Sequence, residues 1–407
     1  MTTENKSHDL LNELLQPTGP TCLIIKAKLQ PVGEVDRFQP AGFPEVGHVL
    51  YDAPNGKGKV CIVDSPASMA NHLEKVCMAG ENETELHPDL AGLPYVICTT
   101  DNGSQLDQET AEGNPERPHN KRVCTSLTEG HRIASDYFLD GLINPQWIAE
   151  QKTSKKKGGK EETVPAHWDW KNFRSQLREE FGIVEVKKDK TYFIHPENWW
   201  TIYRTIFKYD PNSLVHGVMF AKEQIKISRL LTAHLEAFGA SRVSRSGVKF
   251  DRLGKTLSGQ PIFAVDEETA REIRATFIFD LALLRSFGRN GNGLNDDQKK
   301  LLLGLALWKV KQLLAQPFRF RTQCHLQCDE VEIGIDGQAE RAEKQSDYTE
   351  LLNNLDIEQL ITACSFGSSS VTNVYYPINE LFKPGKDDGQ ETDNAADGSD
   401  NDEGAGD

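Results

Sequence analysis

Short apolar stretches separated by polar turns predict a mixture of strands and helices. β-Branched and aromatic residues are concentrated in several runs, as is typical of strands; these runs are 21–30, 60–64, 95–100, 122–127, 274–284 and 318–328. Residues 184–194 predict a hairpin. Apolar residues at helical spacing predict helices at 131–139, 170–181 and 225–238. The irregular alternation, with long insertions, favours an α+β fold over a regularly alternating parallel sheet.

Capping residues support three of the predicted helix ends. Ser65 and Pro66 directly follow a strand-like run, so a strand is expected to lead straight into a helix that Ser65 caps. Gly239 is typical of a C-cap for the helix before it. Asn295 begins the clearest helix, which has two aspartates in its first turn and Pro317 beyond its end.

The composition predicts one elaborated domain between two terminal segments. Residues 1–19 are interpreted as an N-terminal extension and residues 20–383 as a single domain. Residues 151–163 read as a flexible basic loop within that domain, because they lack apolar periodicity and are rich in lysine and glycine. Residues 384–407 are acidic and polar, which predicts a disordered tail that serves solubility or competes with a misplaced anionic ligand.

The negative charge is unevenly distributed along the chain. The formal net charge is −15, but residues 386–407 and 78–113 each contribute −8, which leaves the remainder near neutrality. Residues 222–255 carry eight Lys or Arg against three Asp or Glu, and residues 152–160 contain five lysines and no acid. This pattern fits either a solvated face or a local anion-binding surface on an acidic molecule.

Composition and motifs also exclude several protein classes. The longest apolar runs are far shorter than the ~20 residues of a membrane span, and the start lacks the pattern of a secretory signal. Eight irregularly spaced cysteines favour reduced thiols, so we expect a cytoplasmic protein. Nucleotide-binding, esterase and metalloprotease motifs are absent. Cys324, His325 and Cys328 are too few ligands for a structural zinc site, so we expect no bound metal. Because the motifs above are absent, we also expect no cofactor and no catalytic residues.

Three segments have the residue types that a nucleic acid requires. The loop Arg37, Phe38 and Gln39 offers a guanidinium, a ring and an amide, although it could equally be a proline-rich connector. The predicted helix start offers an anion site through Ser65, Ser68, Met69 and Asn71, or is simply a capped helix. The strongest candidate is the basic segment 226–252, for which a solvated face is the alternative interpretation. Its candidate RNA-contacting cations are Lys226, Arg229, Arg242, Arg245, Lys249 and Arg252.

A fourth segment alternates aromatic and basic residues. On a strand, Phe318 and Phe320 would share one face, and Arg319 and Arg321 the other. We expect the rings to face the core, so that only the arginines remain for a ligand.

Five segments together resemble one known protein family over roughly residues 20–335. They are RFQPAGFPEVGHVLYD (37–52), VCIVDSPASMANHLEKV (60–76), HRIASDYF (131–138), DPNSLVHGVMF (210–220) and RLLTAHLEAFGASRVSRSGVKFDRL (229–253). The family is the backbone subunit of type I-G, formerly I-U, CRISPR surveillance complexes, in the Cas-seven superfamily. Two further candidate RNA-binding residues lie in these motifs, Arg132 and His216; the alternative for His216 is a hydrogen-bonded structural histidine.

The resemblance implies an RNA-recognition-motif-like, ferredoxin-like palm with finger and thumb insertions. Copies would stack head to tail along the spacer part of a guide RNA, and each thumb would interrupt the guide and flip one nucleotide. The protein would hold the backbone while the guide pairs with the target DNA strand. Further implied partners are the large subunit and a fused guide-processing and capping subunit.

Two other functions remain open from the sequence. Related type III backbone subunits cleave target RNA with an aspartate on a loop, for which Asp136 or Asp251 could be nominated. An acidic adaptor between proteins is the third possibility, and it would bind no RNA.

Overall fold

The computed structural model describes residues 3–43, 47–54, 56–79, 85–100, 121–148, 151–153, 162–164, 167–186, 191–243, 267–335, 342–367 and 370–376. Within these ranges the helices are α1 (Thr3–Leu15), α2 (Pro66–Lys75), α3 (Asp136–Leu139), α4 (Phe173–Phe181), α5 (Asn198–Tyr209), α6 (Pro211–His216), α7 (Leu281–Ser286), α8 (Asp296–Ala315), α9 (Ala342–Asn353) and α10 (Ile357–Ala363). Two short 3₁₀ turns cover Pro88–Leu90 and Arg132–Ala134.

The strands, in chain order, are β1 (Cys22–Pro31), β2 (Gly42–Phe43), β3 (Gly47–His48), β4 (Leu50–Asp52), β5 (Lys59–Asp64), β6 (Met78–Ala79), β7 (Glu85–Leu86), β8 (Tyr95–Thr100), β9 (Lys121–Thr125), β10 (Leu142–Ile148), β11 (Gln151–Thr153), β12 (Glu162–Val164), β13 (His167–Asn172), β14 (Val184–Val186), β15 (Thr191–Phe193), β16 (Val218–Phe220), β17 (Ile225–Ile227), β18 (Leu231–Val243), β19 (Glu267–Thr269), β20 (Glu272–Asp280), β21 (Gly288–Arg289), β22 (Asn292–Gly293), β23 (Phe318–Arg321), β24 (Cys324–Ile335) and β25 (Val371–Tyr375).

An eight-stranded antiparallel sheet forms the centre of the fold. Its order is β23-β24-β1-β20-β18-β5-β4, and β19 pairs with the far end of β18. Every second residue of the central strands is buried: in β1, for example, the buried residues are Leu23, Ile25, Ala27 and Leu29. This alternation places one apolar face of the sheet against the helices.

Helices α2, α6 and α8 cover the apolar face of this sheet. α8 contacts β20 and β24, while α2 and α6 both contact β18 and α8. Apolar side chains surround α8 on nearly every side, because it is covered by the sheet and by α2, α6, α9 and α10. Consequently α8 forms the middle of the core, and its fully buried Lys309 needs polar partners from the helices around it.

A second sheet has five strands in the order β13-β10-β25-β8-β9. Only its β25–β8 pair is parallel. The predicted α+β class is therefore confirmed: helices are combined with an antiparallel main sheet and a second sheet that contains one parallel strand pair.

The predicted helix over 225–238 is wrong, because the segment forms β17 and β18. Leu231 and Leu235 are four residues apart, which suits a helix, but they also fit the period-two pattern of β18. Pairing with β20 on one side and β5 on the other selects the strand. Gly239 does have a positive φ of 64°, but it lies at a bulge between β18 and β5, not at a helix end.

Other predicted elements are confirmed or shortened. The helix predicted to begin at Asn295 is confirmed as α8, and the structure adds a capping box between Asn295 and Gln298; the hairpin β14–β15 is also confirmed. The predicted helix 170–181 begins at Phe173, after a strand, and 131–139 contains only a 3₁₀ turn and the short α3. The strand predicted over 274–284 ends at Asp280, whose side chain caps α7. The run 318–328 turns back on itself as β23 and β24.

The ends of the chain add one unpredicted helix. Residues 3–15 form α1, and Leu10, Leu11 and Leu14 are buried in the core. The acidic tail 384–407 and residues 154–161 of the basic loop lie outside the described residues. In the part of the chain that is described, no helix is both long and apolar enough to cross a membrane.

Candidate nucleic-acid interface

A cavity of about 500 Å³ lies where the Arg132 turn, the end of α6, the β16–β17 hairpin and the start of β18 meet. Among the described residues that line it, none is Asp or Glu. Four of the sequence-predicted site residues meet here: Arg132, His216, Lys226 and Arg229. Because cations and no carboxylates line it, the cavity is suited to an anionic group.

Arg132 is fixed in this cavity by a bidentate ion pair with Glu74. Its Nε donates to Oε1 of Glu74 at 2.7 Å, and its second terminal nitrogen donates to Oε2 at 2.9 Å. Its other terminal nitrogen donates to the carbonyl of Gly217 at 3.2 Å. Arg132 is 6% exposed and has a φ of +56°, a conformation that non-glycine residues rarely adopt. Such backbone strain persists where surrounding contacts determine it, commonly at ligand sites.

A buried polar network extends from Glu74 to the centre of α8. Asn212 donates from Nδ2 to Oε1 of Glu74 at 2.7 Å. Its Oδ1 accepts a short hydrogen bond from Nζ of Lys309, which has no exposed surface. Burial is the main cause that lowers the pKa of Lys309 from its ordinary value. The network therefore connects the cavity wall to the core of the protein.

Asp210 explains why the segment DPNSLVH folds as it does. Its Oδ2 accepts a hydrogen bond from the Ser213 hydroxyl at 2.6 Å, and the same hydroxyl receives the backbone N–H of Ile133 at 3.4 Å. Asp210 thus ties the start of α6 to the turn that carries Arg132. Burial raises the pKa of the Asp210 carboxyl to about 6.

His216 is the last residue of α6 and is 1% exposed. Among the described residues, neither ring nitrogen has a hydrogen-bond partner. Burial, followed by the positive charges of Lys309, Arg132 and Arg229, lowers the pKa of His216 well below its ordinary value. The imidazole is therefore neutral. The ring nitrogens of a buried structural histidine are normally hydrogen-bonded. Those of His216 are not, within the described part of the chain.

Lys226 and Arg229 supply the charge that is not already neutralised. Lys226 is exposed on β17, and Arg229 donates to the carbonyl of Pro66 at 3.2 Å. Neither makes an ion pair with a carboxylate in the described ranges. Burial and then the nearby charge of Arg132 lower the pKa of Arg229, although Glu74 acts in the opposite direction. An anion in the cavity would relieve this repulsion between guanidinium groups.

Gly217 allows the chain to make the turn between α6 and β16. Its φ is +77°, and a Cβ at this position would lie 2.8 Å from the carbonyl oxygen of Ile227 and 3.1 Å from the Arg229 backbone. Both contacts are to the cavity wall, so only glycine fits here without moving it.

The predicted loop around Arg37 and the cation Arg242 have other partners. Arg37 forms ion pairs with Glu267 and Asp36, each at 3.2 Å. Arg242 donates to Oε1 of the buried Glu268 at 3.1 Å. Phe38 is 1% exposed and exchanges two backbone hydrogen bonds with Glu268, so its ring lies in the core and is not presented to a base. The backbone of Gln39 donates to the Gln323 carbonyl.

The start of α2 already holds a carboxylate. Ser65 caps the helix as predicted, and Ser68 donates from Oγ to Oδ2 of Asp64 at 3.0 Å. Although burial acts to raise it, hydrogen bonding from His72 and the charge of Arg321 hold the pKa of Asp64 below its ordinary value. The Asp64 carboxylate therefore already supplies the negative charge that stabilises this helix N-terminus. The two remaining candidates here are the buried Met69 and the exposed Asn71.

The two rings of the aromatic–basic strand β23 pack inward as the sequence predicts, but Arg321 does not remain for a ligand. Phe318 and Phe320 both contact the ring of His72 edge-on, with centroids 5.2 Å apart. Arg321 forms an ion pair with Asp64 at 2.9 Å, while Arg319 is exposed.

Three predicted cations are not part of the described structure: Arg245, Lys249 and Arg252. The described residues contain no group of three or more His, Cys, Asp or Glu that could hold a metal ion.

Sequence reasoning missed the polar network beneath the cavity. Glu74 lies on an amphipathic helix, where an acid is normally exposed, and nothing in the sequence separates it from a surface residue. Lys309 did carry a signal, because a single lysine inside the apolar run around it is expected to need a buried partner.

Comparison with known proteins identifies the family. A search of curated proteins finds no match. The family model described as CRISPR-associated protein GSU0053 matches residues 23–242, which is more than half of the 407 residues. All four predicted site residues that line the cavity lie within the matched segment. The chain belongs to the CRISPR-associated protein GSU0053 family.

Proposed function

We propose that this protein is a non-catalytic subunit that binds guide RNA in the backbone of a type I-G CRISPR surveillance complex in the cytoplasm. One observation carries the proposal: the cationic cavity that brings Arg132, Lys226 and Arg229 together inside the segment matched by the CRISPR-associated family. In this proposal the eight-stranded sheet and its helices correspond to the RNA-recognition-motif-like palm, and the segments inserted around them correspond to finger and thumb.

Local charge explains how an acidic protein could hold RNA. Phosphates respond to the potential near them, and cations at the cavity act over about 10 Å at moderate salt. Lys226 and Arg229 make no ion pair with a carboxylate in the described residues, whereas Arg37 and Arg242 do. Of these four predicted cations, Lys226 and Arg229 are therefore the two whose charge remains available to a phosphate.

Several copies would stack head to tail along one guide and present it to the target DNA strand. Such heterologous association does not close on itself, so the length of the RNA sets the number of copies. The other proposed neighbours are the large subunit and a fused subunit for guide processing and capping. Base pairing in the guide would read sequence, while the protein holds only the backbone.

Purification with and without guide RNA tests this proposal. The chain is expressed with a guide, and bound RNA is measured by the ratio of absorbance at the nucleic-acid and protein maxima. We expect RNA to co-purify in polydisperse particles that nuclease reduces to small species. A nuclease-insensitive, monodisperse protein without RNA would contradict the proposal and favour the adaptor function.

A double variant locates the binding surface. Lys226→Gln with Arg229→Gln should lower the amount of bound RNA. The matched control is Lys28→Gln with Lys59→Gln, which removes the same charge from two exposed strand residues that pair with Asp329 and Asp52. Incubation with labelled target RNA and Mg²⁺ tests the ribonuclease alternative, because cleavage that Asp136→Ala abolishes would overturn the non-catalytic role.

A further inference from the structure

Two cysteines lie directly opposite each other in the second sheet. In the antiparallel pair β8–β9, the Cα partner of Cys98 is Cys124, and the register shifts only beyond them, between Cys98 and Thr99. Among the strand pairings of the described residues, this is the one that places two cysteines side by side. Both thiols are free.

The spacing of this pair suits a disulfide bond. Direct partners on antiparallel strands have Cα atoms about 4.5 or 5.5 Å apart, and disulfides form where that distance is roughly 4.4–6.8 Å. The side chains of direct partners also project from the same face of the strand pair. The two strands therefore hold both sulfur atoms where a bond between them needs no large movement of the backbone.

The two thiols differ in accessibility. Cys98 has no exposed surface, whereas Cys124 is half-buried. A hydrogen bond with Cys124, followed by burial, raises the pKa of the Cys98 thiol above its ordinary value, so Cys98 keeps its proton. The same contact places the two sulfur atoms within reach of each other. Cys124 is consequently the sulfur that a small oxidant in solution reaches first, and Cys98 is positioned to react second.

We propose that Cys98 and Cys124 form a reversible disulfide when the protein meets a peroxide. The Cys124 thiolate attacks one peroxide oxygen: an S–O bond forms, the O–O bond breaks, and hydroxide leaves and takes up a proton to become water. The Cys98 sulfur then attacks the sulfur of this sulfenic acid. The S–S bond forms, the S–O bond breaks, and the hydroxyl leaves with the Cys98 proton as a second water. Two thiols thus lose two electrons to one peroxide.

This bond would fasten an edge strand of the second sheet. In the order β13-β10-β25-β8-β9, strand β9 comes last, and within the described residues it pairs with β8 alone. A strand with one neighbour opens more readily than a central one, so a covalent bond to β8 should slow that opening. A small thiol would reverse the bond by exchange. Disulfides of reducing compartments are usually of this transient, oxidant-responsive kind.

Thiol counting on the folded wild type tests the proposal. The protein is treated with rising hydrogen peroxide, the remaining thiols are alkylated after denaturation, and peptides are mapped by mass spectrometry with and without dithiothreitol. We expect Cys98 and Cys124 to be lost together as one cross-linked peptide pair that is lighter by two hydrogen atoms and is restored by dithiothreitol. Cys364 is the internal reference, because it is also half-buried but lies at the end of α10. It should remain alkylatable at peroxide concentrations that consume the pair.

Three results of this experiment would each overturn the proposal. They are oxidation of Cys364 before the pair, addition of oxygen at Cys124 without a cross-link, and a bond between the Cys124 residues of two copies. Cys98→Ala is the matched variant: it should leave Cys124 as a sulfenic acid that dimedone traps, whereas Cys98 consumes this intermediate in the wild type. Equal dimedone labelling of the two proteins would contradict the role of Cys98. If the variant does not fold, the wild-type peptide map alone decides.

Hydrogen exchange measures the effect of the bond on β9. We expect the amides of residues 121–125 to exchange more slowly in the oxidised protein than in the reduced protein. Exchange that is unchanged in this segment, once the cross-link is mapped, would overturn the fastening of the edge strand.

Discussion

The guanidinium of Arg132 and the carboxylate of Glu74 form a buried bidentate pair, with N–O distances of 2.7 and 2.9 Å. The two residues are 58 positions apart in sequence and belong to different elements, the 3₁₀ turn and α2. Their pairing fixes one wall of the cavity to the core. Stability and ligand binding should therefore be coupled at this ion pair.

Removal of Glu74 should be strongly destabilising. Glu74→Ala leaves the Arg132 guanidinium buried without its counter-ion and leaves Asn212 without an acceptor. The expected loss in free energy of unfolding is about 3–5 kcal/mol, measured by urea denaturation. The control is Asp52→Ala, which removes the partner of Lys59 from an exposed ion pair and should cost under ~1 kcal/mol. Equal losses of unfolding free energy in the two variants would show that the buried ion pair stabilises the fold no more than the exposed pair does.

Gly217 should tolerate no larger residue. Gly217→Ala adds a Cβ at positive φ and within 2.8 Å of a backbone oxygen, so we expect a loss of about 2–4 kcal/mol together with weaker RNA binding. Gly33 has a φ of +79° but no atom within 4 Å of the added Cβ. Gly33→Ala should consequently cost only about 1–2 kcal/mol and leave RNA binding unchanged. If both variants lose the same stability, the close approach at Gly217 is not a constraint.

Asp210 should make the protein more stable as the pH falls, which is opposite to the usual effect of a carboxylate. Its pKa is raised from an ordinary 3.8 to about 6, so between these values the folded protein binds a proton that the unfolded chain does not. The contribution of Asp210 to the free energy of unfolding therefore grows as pH falls through 6. Relative to Asp210→Asn, the wild type should gain about 1 kcal/mol between pH 7 and pH 5. A pH-independent difference between the two proteins would contradict the raised pKa.

The start of α2 shows how a correct local prediction can mislead. From sequence alone, an acid at Ser68 should be tolerated in the first turn of a helix. In the structure Ser68 donates a hydrogen bond to Asp64, so Ser68→Asp would bring two carboxylates together. We expect a loss of about 1–3 kcal/mol, visible as a lower melting temperature. The exposed neighbour Ala67 is the control, since Ala67→Asp should be neutral or slightly stabilising.

Much of the fold follows from local sequence, but the site does not. The Asn295 capping box and the alternation in β1 are local signals, and both predict the observed elements. The helix predicted over 225–238 failed because its apolar positions fit two periods, and pairing with β5 and β20 decided between them. Glu74 and Lys309 meet only after α2 and α8 pack together, and no local pattern encodes that meeting.

The salt dependence of RNA binding tests the central claim most directly. Each phosphate contact on a single strand contributes about −0.7 to the slope of log affinity against log salt. If Lys226 and Arg229 each neutralise one phosphate, Lys226→Ala with Arg229→Ala should flatten the slope by about 1.4, and Lys28→Ala with Lys59→Ala should leave it unchanged. The reverse result, a wild-type slope in the cavity variant and a flattened slope in the control, would contradict the assignment of this cavity to the guide backbone.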